Sequence, residues 1–293
     1  MKSMKIAYLI IVHHEFEHFR RLLKAVQHSQ IDLYIHVDKK CETPIDAIFE
    51  NIPLSDNTYI LEDRVDVAWG GYGITAATLN LLEAAMGNDT YDYFFLLSGQ
   101  DFPLCSSEYI LRYMHNNRGR EFIEHFPLPD YVNWAENGGK DRYEYFWPIE
   151  EMGFSMATAF VKAQQTENVC RSFPAALKPY GGSNWFAISL PCVEYLFQFL
   201  NENTSVLTFF RYTKLPEELM IQSIVLNSPF REKVVNNNLR YIDWCTGPGF
   251  PRVLDESDLS TLLASGCLFA RKFSKATSNS LIDIIEDLLP QRD

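Results

Sequence analysis

Pro216-Glu217-Glu218 sets two adjacent carboxylates just behind a proline of the kind that opens a helix. That placement has two readings. Acidic side chains at a helix N-terminus complement its dipole, and a carboxylate projecting into a cleft can take a proton from an alcohol as a general base. Residues of the opposite charge lie further on: Arg252 in Pro251-Arg252-Val253, and Lys272 beside Arg271 in Phe269-Ala270-Arg271-Lys272-Phe273. The chain has 26 Lys and Arg against 38 Asp and Glu, a formal charge of −12. Cations flanked by apolar residues in such a chain read either as a solvated face or as a local anion site.

His14-Glu15-Phe16-Glu17-His18 fits H-E-x-x-H, which on a helix supplies two zinc ligands and a general base. Its position directly after an apolar run puts His14 at a fraying helix end, and no third ligand stands out, so a zinc protease is the weaker reading. Phosphate loops of the G-x-x-x-x-G-K-[ST] and G-x-G-x-x-G kinds are absent, as is a G-x-S-x-G nucleophile elbow. Gly70-Gly71-Tyr72-Gly73 precedes a helix, so its backbone N–H groups face an anion or simply make a tight turn. No Asp-x-Asp occurs anywhere, the pair through which many enzymes acting on nucleotide sugars hold a divalent metal. A diphosphate bound here therefore needs cationic side chains in place of the metal.

The elements that must position these groups alternate along the first half. The apolar run 6–12 predicts a strand buried on both faces, followed by a helix over 16–27. Further strands are expected at 33–37, 57–61 and 93–97, with helices opening at Thr43-Pro44, over 75–86, and over 106–116 with Ser106 as cap. Strand–helix alternation at this spacing predicts an α/β fold with a mostly parallel central sheet and helices on both faces. Residues 121–180 are looser, rich in aromatics, Pro and Gly. Beyond them the pattern predicts strands at 184–190 and 239–242 and helices at 191–200, 217–226, 255–263 and 280–289. In parallel sheets ligands bind beyond the carboxyl ends of the strands. Val12-His13-His14, His36-Val37-Asp38 and Ser98-Gly99-Gln100-Asp101 each put polar groups there.

Composition narrows the partners. Hydrophobic residues make 47% and charged residues 22%, which fits a globular chain, and the acidic balance argues against nucleic acid or an anionic membrane as partner. No stretch approaches the ~18 apolar residues of a membrane helix. Six scattered cysteines without a C-x-x-C pair are expected to be reduced, and the protein cytoplasmic. Trp134, Tyr143, Tyr145, Phe146, Trp147 and Trp185 give the middle segment aromatic faces suited to sugar rings or to a core.

Together these strings resemble the core-2/I-branching β-1,6-N-acetylglucosaminyltransferase family, which also includes peptide O-xylosyltransferases. The strings are IAYLIIVHH (6–14), YIHVDKK (34–40), VAWGGYGITAATLNLL (67–82), YDYFFLLSGQDFPL (91–104), GGSNWFAIS (181–189), LPEELMIQSI (215–224) and LFARKF (268–273). The resemblance implies a GT-A-like nucleotide-diphospho-sugar fold in one domain over 1–293, with a nucleotide-binding half (1–120) and an acceptor and catalytic half (121–293). It implies inverting, metal-independent transfer of a sugar, GlcNAc or xylose, from a UDP-sugar to a glycan hydroxyl, with no cofactor. Glu218 falls on the family's base, and Arg252 and Lys272 on its metal-replacing cations. His13, His36 and Asp38 would contact the nucleotide, Asp101 the donor sugar, and Trp185, Arg142 and Tyr143 the acceptor. Animal members are Golgi type II membrane proteins with disulfides; this chain shows no such anchor and is expected to be a bacterial cytoplasmic relative. The rival expectation is a nucleotide-sugar- or glycan-binding protein without turnover.

Overall fold

Strand β1 (Ile6–Val12) forms because seven apolar residues without a polar break can be satisfied only inside a sheet covered on both sides, and Ile6 to Ile10 are all fully buried. The other strands, in chain order, are β2 (Ile31–Val37), β3 (Thr58–Ile60), β4 (Tyr93–Ser98), β5 (Phe102–Pro103), β6 (Glu121–Pro127), β7 (Tyr180–Ser189), β8 (Val234–Val235), β9 (Arg240–Ile242) and β10 (Phe269–Arg271). The computed structural model describes residues 4–52, 55–247 and 251–291. The chain divides into two compact units.

The first unit comprises Met1–Arg64, Glu83–Gly119 and Leu239–Asp293. Its main sheet runs β3-β2-β1-β4 with every pair parallel. Val12 is level with Val37, and Ile11 with Ser98, so His13, Asp38 and Gly99 leave the sheet at the same edge. A small second sheet has the order β5-β10-β9. The helix Phe16–Val26 buries Phe19, Leu22, Leu23 and Val26 along one stripe, and Ser106 caps the helix Ser107–Asn116 by accepting from the Tyr109 N–H at 3.0 Å.

The second unit comprises Val65–Leu82 and Arg120–Asn238. Here β6 pairs antiparallel with β7 and parallel with β8. Of the five pairings described within the two units outside the small second sheet, four are parallel, and helices accompany them: an α/β fold with a mostly parallel sheet.

Several boundaries differ from the sequence expectation. Strand β2 starts at Ile31, two residues early, because the carboxylate of Asp32 is neutralised inside the fold by Tyr91 (2.6 Å) and Lys5 (3.1 Å). The helix expected at 217–226 is broken: Pro216–Glu218 make a 3-10 turn, Leu219 leaves helical geometry at φ −133°, and the α-helix is Met220–Leu226. The loose segment contains strand β6 and a long helix, Ile149–Thr166, whose pattern Gly153 interrupts at φ +76°.

Candidate active site

In the first unit, polar groups collect where the parallel strands end. Asp38 donates its N–H to the Val12 carbonyl at 2.9 Å, tying the ends of β1 and β2 together. Arg64 fixes this turn from behind, donating to the carbonyls of Val37 (3.0 Å), Asp38 (2.6 Å) and Cys41 (3.2 Å). His36 is completely buried, and burial lowers its pKa against the opposing pull of Asp38. His13 keeps much of its side chain exposed, yet desolvation first, then His14, hold its ring down to about 4, against the pull of Asp38. Lys40 and Lys272 also act on the same ring. The structure therefore gathers His13, Asp38 and Lys272 within electrostatic reach of one another.

The two cations singled out in the sequence differ sharply. Lys272 follows β10 and has no ion-pair partner among the described residues; desolvation, then Arg271, lower its pKa. Arg252 is already occupied. Its Nε donates to Asp243 Oδ2 at 2.8 Å, Nη2 donates to Asp258, and Asp255 lies 3.7 Å from Nη1. Three carboxylates around one guanidinium leave a net negative cluster, and the hydrogen bonds Arg252 donates to Asp243 and Asp258 raise its pKa further.

Asp101 lies entirely inside the first unit. Its carboxylate accepts from the Ser98 hydroxyl (2.9 Å), the Ser98 N–H (3.2 Å) and Arg240 Nε (3.1 Å), with Arg271 Nε 3.7 Å away. Neither Asp101 nor Arg240 exposes any side-chain surface. Arg240 has no motif to announce it: it reads as the polar start of a short apolar strand, and only the fold reveals its partner. The H-E-x-x-H string comes apart, because Glu15 adopts the left-handed conformation (φ +57°) and the helix begins only at Phe16. His18 is buried, stacks on Phe273 at 5.7 Å between ring centres, and places Nε2 3.1 Å from the Asp101 carbonyl.

In the second unit, Leu215 turns the chain with φ +51° and donates its N–H to the Gly70 carbonyl at 2.8 Å. The 3-10 turn that follows presents Glu218 half-buried, while Glu217 points into the protein. Oε2 of Glu218 accepts from Nη1 of Arg142; Oε1 has no hydrogen-bond partner among the described residues. Burial first, then the charge of Glu218, push the Glu217 carboxyl up to about 8. Glu124 is also raised, by burial and then by Glu218, and it accepts from Asn238 at 2.6 Å. The Arg142 guanidinium thus acts on two of these carboxyl groups, Glu218 directly and Glu217 by its charge.

The other residues expected to meet an acceptor fare differently. Tyr143 is buried, edge-on to Phe173 at 5.1 Å, and burial raises its hydroxyl to about 12. Trp185 is half-buried on β7, its N–H 3.4 Å from the Ser183 hydroxyl. The glycine turn before the helix Gly73–Asn88 does face an anion, one from its own chain: Glu150 Oε1 accepts from the Gly73 N–H at 2.9 Å.

No described helix is long and apolar enough to cross a membrane. Residues 6–262 match the family model for the Core-2/I-Branching enzyme. Xylosyltransferase 2 of Rattus norvegicus is 26% identical over 97% of this chain and 33% of its own length. Xylosyltransferase 2 of Homo sapiens is 27% identical over 97% of this chain and 33% of its own. The chain spans about a third of the length of these relatives. Among solved structures, 4-diphosphocytidyl-2C-methyl-D-erythritol synthase of Anaerococcus prevotii has a TM-score of 0.39 at 11% identity, over 89% of this chain and 96% of that one. The family match begins at β1 and ends within the helix Leu259–Ala264, taking in the strand-end groups of the first unit and the Glu218 turn of the second, and by it the chain belongs to the Core-2/I-branching enzyme family.

Proposed function

We propose that this protein is an inverting, metal-independent glycosyltransferase that moves GlcNAc or xylose from a UDP-sugar to a hydroxyl of a glycan acceptor, with Glu218 as general base. Family membership and relatives that bear the name xylosyltransferase support sugar transfer. The observation that carries the base assignment is the state of Glu218: one oxygen accepts from Arg142 and the other has no hydrogen-bond partner among the described residues, on a half-buried turn. A carboxylate held at one oxygen can accept a proton at the other from a hydroxyl brought within hydrogen-bond reach.

In the reaction, the acceptor hydroxyl gives its proton to Glu218 as its oxygen bonds to the anomeric carbon. The bond from that carbon to the diphosphate oxygen breaks on the opposite face, and UDP leaves with the electron pair. A single displacement inverts the configuration and needs no second nucleophilic carboxylate. Lys272, partly desolvated and unpaired by any described carboxylate, suits the charge that grows on the diphosphate. Arg252 can join it only by exchanging Asp243 and Asp258 for phosphate oxygens. The missing Asp-x-Asp supports this metal-free assignment. His13, His36 and Asp38 would meet the nucleotide. Asp101, wholly enclosed by Ser98, Arg240 and Arg271, would shape the donor-sugar end from within.

The test is UDP release from UDP-xylose and UDP-GlcNAc, in EDTA, with p-nitrophenyl glycosides and a serine-containing peptide as acceptors. A β-linked product from the α-linked donor, formed in EDTA, supports the proposal. An α-linked product, or activity restored only by Mn²⁺, contradicts it.

A further inference from the structure

Trp134 lies in a stretch without regular structure, yet its indole has a fitted place. Gly139 (φ +80°) and Gly181 leave the room it occupies: a side chain at Gly139 would land on Cε3, and a Cβ at Gly181 would stand 2.5 Å from Cη2. Phe126 closes another side, edge-on with ring centres 5.0 Å apart. The remaining face carries the guanidinium of Arg142, whose Cζ sits 3.5 Å from the ring centroid, well inside the ~6 Å over which a cation is drawn to an aromatic face. That same guanidinium donates Nη1 to Glu218.

We propose that Trp134 is a positioning residue for the base, acting through Arg142 to fix the Glu218 carboxylate; this rests on Glu218 being the base. An arginine side chain carries ~2 kcal/mol of rotamer entropy, and a guanidinium held 3.5 Å over an indole face loses part of that freedom before any substrate arrives. With the guanidinium held by the indole, the Nη1 that meets Glu218 Oε2 is held too, and with it the carboxylate whose other oxygen has no hydrogen-bond partner among the described residues. The two glycines and Phe126 have a reason in this account: they hold the indole that holds the arginine.

The test is a cycle of Trp134→Met, which fills volume without an aromatic face, and Arg142→Met, singly and together. Trp134→Phe serves as the conservative variant. Kinetics are read as UDP release from UDP-xylose and UDP-GlcNAc with the acceptors above, and folding as the rise in melting temperature on adding UDP. Trp134→Met should lower kcat about tenfold with the donor KM unchanged, an effect in line with loosened orientation. Trp134→Phe should recover most of that loss, and Trp134→Met should cost nothing further in the Arg142→Met background. Independent, multiplying losses, or a wild-type kcat for Trp134→Met, would overturn the proposal. Should Trp134→Met not fold, Arg142→Lys carries the test: it keeps the charge and loses the planar guanidinium over the indole, so kcat should fall, and an unchanged kcat overturns the idea. A Glu218→Gln enzyme with wild-type transfer would instead sink the base assignment itself.

Discussion

Arg142 and Glu218 form an ion pair across 76 residues of sequence, Nη1 to Oε2, with the arginine Cζ 3.5 Å from the centre of the Trp134 ring. The pairing changes what each residue can do. An arginine engaged by a carboxylate is not a free hand for an acceptor, and a carboxylate held by one oxygen presents the other in a fixed direction. The two residues to which the resemblance gives separate roles, base and acceptor contact, are joined in one ion pair. Around it Glu217 and Glu124 add carboxyl groups that burial keeps toward their neutral forms.

The buried Glu217 gives stability a defined pH dependence. Its carboxyl is raised to about 8 from an ordinary value of 4.5, chiefly by burial. Between those values the folded chain holds a proton that the unfolded chain has released, so this group's contribution falls as pH rises through the window and levels off above it. The slope from one such group is at most about 1.4 kcal/mol per pH unit. Glu217→Gln keeps the size and the neutral form. Its melting temperature should match wild type near pH 4.5 and exceed it increasingly up to about pH 8; parallel curves across that range would contradict the assignment.

Lys272 and Arg252 should separate experimentally. Lys272→Met removes a cation without an ion-pair partner among the described residues, so UDP affinity should fall by about tenfold or more, roughly 1.4 kcal/mol or above, with little loss of stability in the absence of UDP. Arg252→Met strips the partner from Asp243 and Asp258, so it should lower the melting temperature of the free protein. UDP titrations followed by melting temperature measure both effects. Equal losses of UDP affinity with unchanged melting of both free proteins would contradict the difference drawn here.

Glu150 caps the helix Gly73–Asn88 from a distance of 77 residues. Glu150→Ala should destabilise the fold by about 1 kcal/mol, through the lost cap and the lost charge at the positive helix end. Glu150→Gln, which still accepts a hydrogen bond, should recover part of that. Thermal unfolding of the two variants decides the matter, and identical losses would show that the hydrogen bond is not what matters.

The legible parts of this molecule were those written locally. Seven apolar residues make β1 wherever they are placed, and Ser106 caps its helix with an N–H three residues away. The strand ends at His13, Asp38 and Asp101 could be found because polarity follows apolarity at once along the chain. What escaped reading depends on distant partners. Asp32 looks like a strand breaker until Tyr91 and Lys5 reach it, and Arg252 looks like a free cation until Asp243 and Asp258 close on it. The Gly70–Gly73 turn looks open to an outside anion until Glu150 fills it. Tyr143, read as an acceptor contact, sits against Phe173 within the packing.

The central claim is that Glu218 takes the acceptor proton. Its direct test is Glu218→Gln, measured for UDP binding by melting temperature and for transfer by UDP release with both donors. In this variant UDP should still raise the melting temperature as in wild type while transfer falls by about a hundredfold or more, the scale of a lost general base. Transfer at the wild-type rate with binding intact would show that another group accepts the proton.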